Sequence, residues 1–553
     1  MTRAQLRPGA AVAARALLLA GLGVLASAHL GTAQCPDGTP PPCGRLVHAA
    51  PPSPHSIAVL PFLNRSPDSA DAYIAEALPE QIQGRLSRVS ALQPKGQAVV
   101  VAQWRRTSDP MQAARLLRTA WLVTGTVRRS GRSLMVAAEL IRASSGDGVW
   151  SATFRRTDDD IAAVEEQVAE SVAVAIVGRL VPAQASALRH TPTGNAESYR
   201  RYLYGRSLMA RRTPGEVAAA VRAFAQAVAL DPAFAAAWGQ LGYARVLQLD
   251  WGNEEALSDD SLRALARAAW SRALRLDSSA AEGWLARGSW AIGKDDVAQA
   301  HAALERAIGL DSANVDAYHM LGYLYSVDCL DLPRVALPLF ARVVALDPDF
   351  RNGWRHLALS LAHEGRLAEA EAALDTALSR GPWPLASSER AFIRLARRDV
   401  VGAMADLADW ERAESAMPRK PPSVLGLQRA EGDYAVAKFR WLFAVAAGDS
   451  SGARAFKASF ESPEGRAVPG HTARLALVDV ALGMRDSALN ALERMLGEAP
   501  SDRATCGPAQ CSRQLDLWQL LNNPLFLPLR GGARFQRLWD ETRPRVPWLD
   551  GYH

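Results

Sequence analysis

Lysine and cysteine are scarce in this chain of 553 residues, which contains five of each. Five cysteines are too few for a fold built on disulfide bonds in a chain of this length. Lysine and arginine together number 63 against 57 acids, which gives a net charge of only +6. This small excess is spread along the chain, so the charge gives little support for nucleic-acid binding.

The sequence also lacks a catalytic or metal-binding pattern. Residues 465–472 imitate a phosphate-binding loop but place His471 where that loop needs lysine. His356 and His363 are seven residues apart, without the flanking glutamate of a zinc protease. We therefore predict no catalytic residue, no metal site and no cofactor.

The amino terminus has the order of a secretory signal peptide over residues 1–33. A basic segment without acids precedes the apolar run Ala16–Ala28, and small residues follow it. The stretch Ala16–Leu30 is shorter than the ~20 residues that span a bilayer. Cleavage is favoured over a retained anchor, and no later apolar run is long enough to cross a membrane. We expect a periplasmic or secreted protein.

Four of the cysteines form two closely spaced pairs. Cys35 and Cys43 flank a Pro-rich turn, and Cys506 and Cys511 flank a Gly-Pro turn. In an oxidising compartment each pair is a candidate disulfide. A zinc site is the alternative, but no histidine lies at ligand spacing near either pair. Cys329 is left over and is expected to lie buried in a helix.

A Pro-rich linker over residues 34–54 leads into a predicted α/β domain at 55–181. Short apolar runs indicate five strands, and apolar residues at helical spacing indicate three helices between and after them. The predicted strands are 57–62, 98–101, 121–127, 134–141 and 148–154, and the predicted helices are 70–86, 111–118 and 161–180. This order predicts one mixed sheet with helices on one face.

Three segments of this domain carry a family resemblance. The runs at 57–62, 71–78 and 123–150 resemble the TolB amino-terminal-like (FlgO-like) domain. In bacterial signalling chains this module typically lies between an effector domain and a helical repeat array. The resemblance implies a binding or sensing module rather than an active site. A signal peptide, and no effector, precedes it here.

The rest of the chain is repetitive. Helix-ending turns recur every 34 to 46 residues, with small residues at fixed distances before each turn and an aromatic residue after it. The turns begin at Leu230, Leu276, Leu310, Leu346 and Arg380, and the aromatic residues are Trp238, Trp284, Tyr318 and Trp354. Small residues let two antiparallel helices approach closely, so each unit buries its apolar face against the next.

This pattern resembles the tetratricopeptide repeat (TPR), clearly over residues 195–382. Residues 383–500 are predicted to form degenerate repeats of the same type, and residues 501–553 a carboxy-terminal cap. The predicted fold class is therefore α+β and multidomain, with a small mixed-sheet α/β domain followed by an all-α TPR superhelical solenoid. At the aromatic positions we expect burial, and at Trp284 a cavity cost of roughly 3–5 kcal/mol on truncation to alanine.

In stacked repeats the first helices line a concave groove. Positions one and four residues beyond the opening aromatic, together with neighbours one turn away, are expected to face it. These positions are predicted to bind a peptide, although packing or exposure to water would explain them equally well. They are Tyr243, Leu285, His319, Tyr323, Asn352 and Arg355.

The sequence thus favours an exported, non-enzymatic interaction or scaffold protein that binds a protein or peptide partner through a TPR groove. Two alternatives stay open. One is a signalling or regulatory protein of the type that carries TolB-like and TPR modules, acting without its usual effector. The other is an enzyme whose site leaves no sequence motif.

Overall fold

The structure is a computed structural model. It describes residues 51–68, 71–131, 133–157, 161–188, 192–251, 257–294, 296–326, 330, 332–416, 471–498 and 524–542, with isolated positions between 451 and 461. The predicted signal peptide, all five cysteines, residues 465–470 of the phosphate-loop imitation, and most of the Pro-rich linker lie outside these residues. No helix of the described part is long and apolar enough to cross a membrane.

Six strands form one mixed sheet near the amino terminus. Across the sheet the order is β3-β1-β4-β5-β6, and β2 also pairs with β4. Strand β1 is parallel to β3 and β4, whereas β5 is antiparallel to both of its neighbours, β4 and β6. The strands are β1 Ser56–Val59, β2 Leu63–Asn64, β3 Gln93–Pro94, β4 Trp121–Ser130, β5 Ser133–Arg142 and β6 Gly148–Thr157.

Helices cover both faces of this sheet, so the prediction of helices on one face is wrong. The α/β helices are α1 Ala72–Leu86, α2 Gln97–Thr107, α3 Pro110–Leu117, α4 Ile161–Val177 and α5 Pro182–Leu188. Ile57 and Val59 pack with α1 and α4, while Ala58 and Leu60 pack with α2 and α3 on the other side. Every residue of β1 is buried for this reason.

The predicted strand at residues 98–101 is also wrong, because these residues form the first turn and a half of α2. Val100 and Ala102 are the buried residues of that helix, and the opposite side is polar. The strand that pairs beside β1 is the two-residue β3, which lies just before α2.

Six consecutive helix pairs follow the α/β domain. Each pair is antiparallel and packs on the next, which gives a solenoid. The pairs are α6 Ala196–Arg211 with α7 Pro214–Leu230, α8 Ala235–Trp251 with α9 Asp259–Leu276, α10 Ala281–Ile292 with α11 Val297–Leu310, α12 Val315–Ser326 with α13 Pro333–Leu346, α14 Arg351–His363 with α15 Leu367–Leu378, and α16 Pro384–Ala396 with α17 Val400–Ala416.

The turns between successive pairs share one hydrogen-bonding pattern. An aspartate ends the second helix and its side chain accepts from the main-chain N–H two residues later, at 2.8 to 3.1 Å. Its carbonyl accepts from the N–H three residues later, which starts the next first helix. These aspartates are Asp231, Asp277, Asp311 and Asp347. The residue type therefore sets the turn geometry in each repeat.

Glycines in the first helices allow the close approach of the second. A Cβ atom on Gly288 would lie 2.6 Å from Leu304, and one on Gly322 would lie 2.7 Å from Phe340. Gly205 makes the same approach to Phe224 in the first pair. Small residues at this position and large ones opposite are the packing of tetratricopeptide repeats, so the array is a TPR solenoid.

The opening tryptophans are half-buried rather than enclosed, contrary to the expectation for Trp284. Each donates its indole N–H to a carbonyl in the preceding turn, six residues earlier, at 2.8 to 3.1 Å. The donors are Trp238, Trp284 and Trp354. Their role is to fasten the turn between pairs, and the expected cavity on truncation of Trp284 is correspondingly smaller.

Two further segments of helix lie near the carboxy terminus. Helices α18 His471–Ala481 and α19 Arg485–Glu498 form an antiparallel pair. A 3-10 helix Pro524–Leu529 and helix α20 Ala533–Thr542 cover its apolar face, with Phe526 and Phe535 fully buried. The earlier part of the predicted cap, with Leu517 and Trp518, lies outside the described residues.

Candidate functional site on the inner face of the repeat array

The first helices of the repeats direct side chains toward a shared surface, which we call the inner face. Side chains from different repeats contact each other there, so the surface is defined by contacts within the chain. Its members are Tyr199, Tyr202, Arg206, Glu282, Asp316, His319, Tyr323, Asn352 and Arg355.

The α/β domain covers the beginning of the inner face. Tyr199 of α6 donates its hydroxyl hydrogen bond to Glu165 of α4 at 2.8 Å, and Arg85 of α1 lies 3.4 Å from the same carboxylate oxygen. All three side chains are buried, and Glu165 is 0% exposed. Burial raises the pKa of Glu165 to about 7, against the opposing effects of Arg85 and Tyr199.

A second set of charges continues this contact along the inner face. Arg206 forms an ion pair with Glu80 of α1 and donates to the Tyr202 hydroxyl at 3.1 Å. Tyr202 in turn contacts Glu282 of the third repeat at 3.3 Å. Burial raises the pKa of Glu282. Polar contacts therefore join the α/β domain to the first repeat and the first repeat to the third. The α/β domain shares one continuous apolar core with the first two repeats.

Arg212 connects the first repeat to the fourth. It lies just after α6, and its guanidinium contacts Asp316 at 3.4 Å and Asp347 at 3.1 Å. The same group stacks over the Phe350 ring at 3.9 Å from the centroid. Two carboxylates and one aromatic face thus hold this cation across the inner face.

Beyond Arg212, the inner face of the fourth and fifth repeats carries a chain of polar side chains that we call the histidine cluster. His319 Nε2 lies 3.0 Å from His356 Nδ1, and Asn352 approaches His319 at 3.5 Å. Arg355 donates to His356 Nε2 at 2.9 Å and makes a bidentate ion pair with Glu389 at 2.8 and 2.9 Å.

These contacts assign the protons of the histidine cluster. Because Arg355 has only donors, His356 Nε2 must accept, so its Nδ1 carries the hydrogen and donates to His319 Nε2. Both imidazoles are then neutral. Burial lowers the pKa of His319 to about 4 and that of His356 well below its ordinary value, with neighbouring Arg355 acting in the same direction.

The six side chains predicted to bind a peptide fall into two groups. His319, Tyr323, Asn352 and Arg355 meet in or beside the histidine cluster, where the Tyr323 ring lies 5.7 Å from that of His356. Tyr323, Asn352 and Arg355 are half-buried, whereas His319 is buried. Tyr243 and Leu285 belong to the apolar core of the array, with exposures of 3% and 1%.

Sequence reasoning missed two members of the cluster, His356 and Glu389. Glu389 is 34 residues after Arg355, which is one repeat length. Comparing equivalent positions of successive repeats would have placed the two side by side. His356 was considered only with His363, whereas its partner is His319 in the preceding repeat.

The histidine cluster offers hydrogen-bonding groups rather than reactive ones. Its one cation is neutralised by Glu389, and its imidazoles are bonded to each other. Within the part of the chain that the structure describes, no group of three or more His, Cys, Asp or Glu side chains is arranged to hold a metal ion.

Comparison with known proteins gives partial matches. No family model matches the chain. A stretch of 190 residues is 28% identical to "Putative adenylate cyclase 3" of Rhizobium meliloti (strain 1021), which covers 34% of this chain and 32% of that protein. The chain therefore spans about a third of the length of this curated relative.

Two solved structures are similar to part of this chain. One is YrrB, described as a TPR protein with an unusual peptide-binding site, at 22% identity over 38% of this chain and 99% of that chain, with a TM-score of 0.27. The other is PilW, described as a type IV pilus biogenesis factor, at 15% identity over 41% and 96%, with a TM-score of 0.33. The assignment of the repeat fold rests on the turns and helix packing described above.

Proposed function

We propose that this chain is an exported, non-enzymatic interaction protein that binds a protein or peptide partner on the inner face of its fourth and fifth repeats. The α/β domain, which we assign to the TolB amino-terminal-like type, then serves to cover the inner face of the first repeats. The proposal places the partner beside Tyr323, Asn352 and Arg355.

The observation that carries this proposal is the division of the inner face. Its first part is already in contact with the α/β domain through Tyr199 and Arg206. The histidine cluster lies past Arg212, and its outer members remain half-buried. Half-buried aromatic and arginine side chains are the residue types that dominate binding energy at protein interfaces.

Site-specific photocrosslinking tests the location. A photoreactive phenylalanine analogue at Tyr323 should trap a partner in cells, and the same analogue at Leu265, which is exposed on α9, should not. With the trapped partner purified, Tyr323→Ala should weaken binding at least tenfold, as expected for an interface aromatic. Equal trapping at both positions, or unchanged binding by Tyr323→Ala, would contradict the proposed location.

The test uses Tyr323 rather than Arg355 for a structural reason. Arg355 is paired with the half-buried carboxylate of Glu389, so its reversal to Glu would place two like charges together and destabilise the fifth repeat. A loss of binding in that variant would not distinguish contact from unfolding. Tyr323→Phe provides the matched control, since it keeps the ring and removes only the hydroxyl.

Export is proposed from the composition of residues 1–33. Amino-terminal sequencing of the protein from an envelope or culture fraction should find cleavage after Ala28 or Ala33. An intact Met1 on protein confined to the cytoplasm would contradict export, and it would leave the proposed binding surface untouched.

A regulatory role is the second candidate. Its support is the 28% identity over 190 residues with a protein named as an adenylate cyclase. Because the match covers a third of that protein, we propose no cyclase activity for this chain. Incubation of the purified protein with ATP and Mg²⁺ or Mn²⁺ should form no cyclic nucleotide. Formation of cyclic AMP above a boiled-protein control would overturn the non-enzymatic proposal.

A further inference from the structure

Strand β6 lies at one end of the sheet with an outer edge that no described strand pairs. Its inner edge pairs with β5 along its whole length. Ser130 and Ser133 pair where β4 joins β5, which is a hydrogen-bonded position in a hairpin, so Met135 directs its main-chain groups to β4 and its partner Arg155 directs its own to the outer edge. On that edge the Arg155 carbonyl accepts from the Arg156 guanidinium at 2.8 Å. Main-chain groups alternate along a strand, so Ser151 and Thr153 direct theirs to the same edge. All three residues are exposed.

From this edge we propose that the protein forms a twofold dimer, in which β6 of one copy pairs antiparallel with β6 of a second copy, centred on Thr153. This inference is independent of the partner-binding surface, because β6 lies in the α/β domain. An unpaired edge of ten residues is a template for strand addition.

The register follows from a local irregularity. A bulge interrupts the pairing of β5 with β6 between Leu140 and Ile141, so the regular part of β6 begins at Trp150. Residues with outward main-chain groups must face each other across an antiparallel pair. Centring on Thr153 satisfies this condition and uses the regular stretch 150–156. Thr153 then faces its own copy, and Ser151 faces the second copy's Arg155.

Charge complementarity favours a second copy as the occupant. Glu139 on β5 lies directly opposite Ser151, and both side chains are on the exposed side of the sheet. The dimer brings the second copy's Arg155 to the far side of Ser151, two strand spacings or ~9.5 Å from Glu139. Because this distance is about the Debye length at 0.1 M salt, the attraction between these two exposed charges is weak and favours the register more than the affinity. Symmetry repeats the attraction, and no like charges face each other.

The buried side of the β6 edge also carries aromatic side chains that contact the second copy in the proposed dimer. Trp150 and Phe154 are half-buried at the margin of the core, with ring centroids 6.5 Å apart. In the proposed register the second copy's Arg156 lies opposite Trp150, where a guanidinium stacks on an aromatic face. To reach this ring Arg156 leaves its contacts with the Arg155 carbonyl and with Gln167 of α4. A main-chain hydrogen bond from the second copy then replaces the contact at the carbonyl.

Cysteine crosslinking in the full chain tests the register. Hydrogen-bonded antiparallel pairs have Cα atoms ~5.5 Å apart, which is within the range of a disulfide. Thr153→Cys should give a covalent dimer on mild oxidation, with the crosslink mapped to residue 153 by mass spectrometry. Arg155→Cys is the matched control, because its two copies would be ~14 Å apart. Absence of the crosslink, or equal crosslinking at both positions, would overturn the proposal.

Sedimentation measurements with charge variants provide a second test of the interface. Ser151→Lys puts a cation opposite the second copy's Arg155 and should weaken the dimer roughly tenfold, whereas Ser151→Glu should tighten it. Within one copy the introduced lysine is attracted to Glu139, so unfolding does not explain a weaker dimer. A wild-type protein that stays monomeric up to ~100 μM, far above the Kd of a stable dimer, would overturn the proposal, as would equal effects of the two variants.

Discussion

The contact of Glu165 with Tyr199 joins the α/β domain to the first repeat, and its replacement by glutamine makes a defined prediction about pH. Glutamine has nearly the same shape and retains an oxygen that accepts from Tyr199. It removes the titrating proton from a position that is 0% exposed. The difference in unfolding free energy between wild type and Glu165→Gln should therefore depend on pH.

The sign and size of this dependence follow from the two pKa values. Glutamate titrates near ~4.3 in the unfolded chain, while burial raises the pKa of Glu165 in the folded protein to about 7. The folded state therefore holds the proton more tightly. The stability that this proton contributes to the folded protein is fully present below pH ~4 and is lost as the pH rises through about 7. At 1.36 kcal/mol per unit, the total change is about 3–4 kcal/mol.

Urea unfolding of both proteins between pH 4 and 8.5, followed by circular dichroism, measures this difference. Wild-type stability should fall relative to Glu165→Gln by about 3 kcal/mol across this range. Glu166→Gln, one residue along α4 and half-buried, is the matched control, because it measures the effect on stability of removing a carboxylate from this helix. A difference that is constant with pH, or that changes in the opposite direction, would refute the assignment of a buried, proton-binding contact between the domains.

Two further predictions concern the repeats. Gly288→Ala places a Cβ 2.6 Å from Leu304 and should lower the free energy of unfolding, measured by heat or urea, by about 1–3 kcal/mol. Gly309→Ala is the control on the same helix pair, with nothing within 4 Å of its Cβ, and should raise the free energy of unfolding by about 0.5–1 kcal/mol. Equal effects of the two variants would contradict the close packing at Gly288. Trp284→Phe removes the 2.8 Å hydrogen bond to the Ser278 carbonyl and should lower the free energy of unfolding by about 1 kcal/mol. A loss above about 3 kcal/mol would indicate a fully enclosed side chain, which the structure does not show.

The repeat array was predictable because the same residue types form the turns and the helix contacts of successive repeats. Aspartate ends the second helix in the first four repeats, and glycine faces a large side chain in the first, third and fourth, so the spacing of these residues is visible in the sequence. The α/β domain shows the limit of this reasoning. The run at 98–101 is rich in valine, which favours strands, but only Val100 among these valines is buried. Packing of one side of α2 on the sheet outweighed the local preference.

The candidate site was predictable only where repeat geometry governs it. Periodicity placed His319 and Arg355 on a common surface, and the structure brings them within one chain of hydrogen bonds through His356. Periodicity did not indicate that Glu80 of α1 pairs with Arg206. That contact depends on how the α/β domain packs on the array, and no residue spacing within either segment encodes it.

The contacts that Arg212 makes between the first and fourth repeats change how the solenoid should unfold. In a linear array each repeat contacts only its neighbours, so stability is close to a sum of independent units and nearest-neighbour terms, and an end can fray alone. Arg212 joins the first repeat to Asp316 and Asp347, more than 100 residues away. Fraying of the first repeat must therefore break contacts of the fourth. Native-state hydrogen exchange in α6 and α12 should follow one opening event rather than two, so the first four repeats behave as a single cooperative unit.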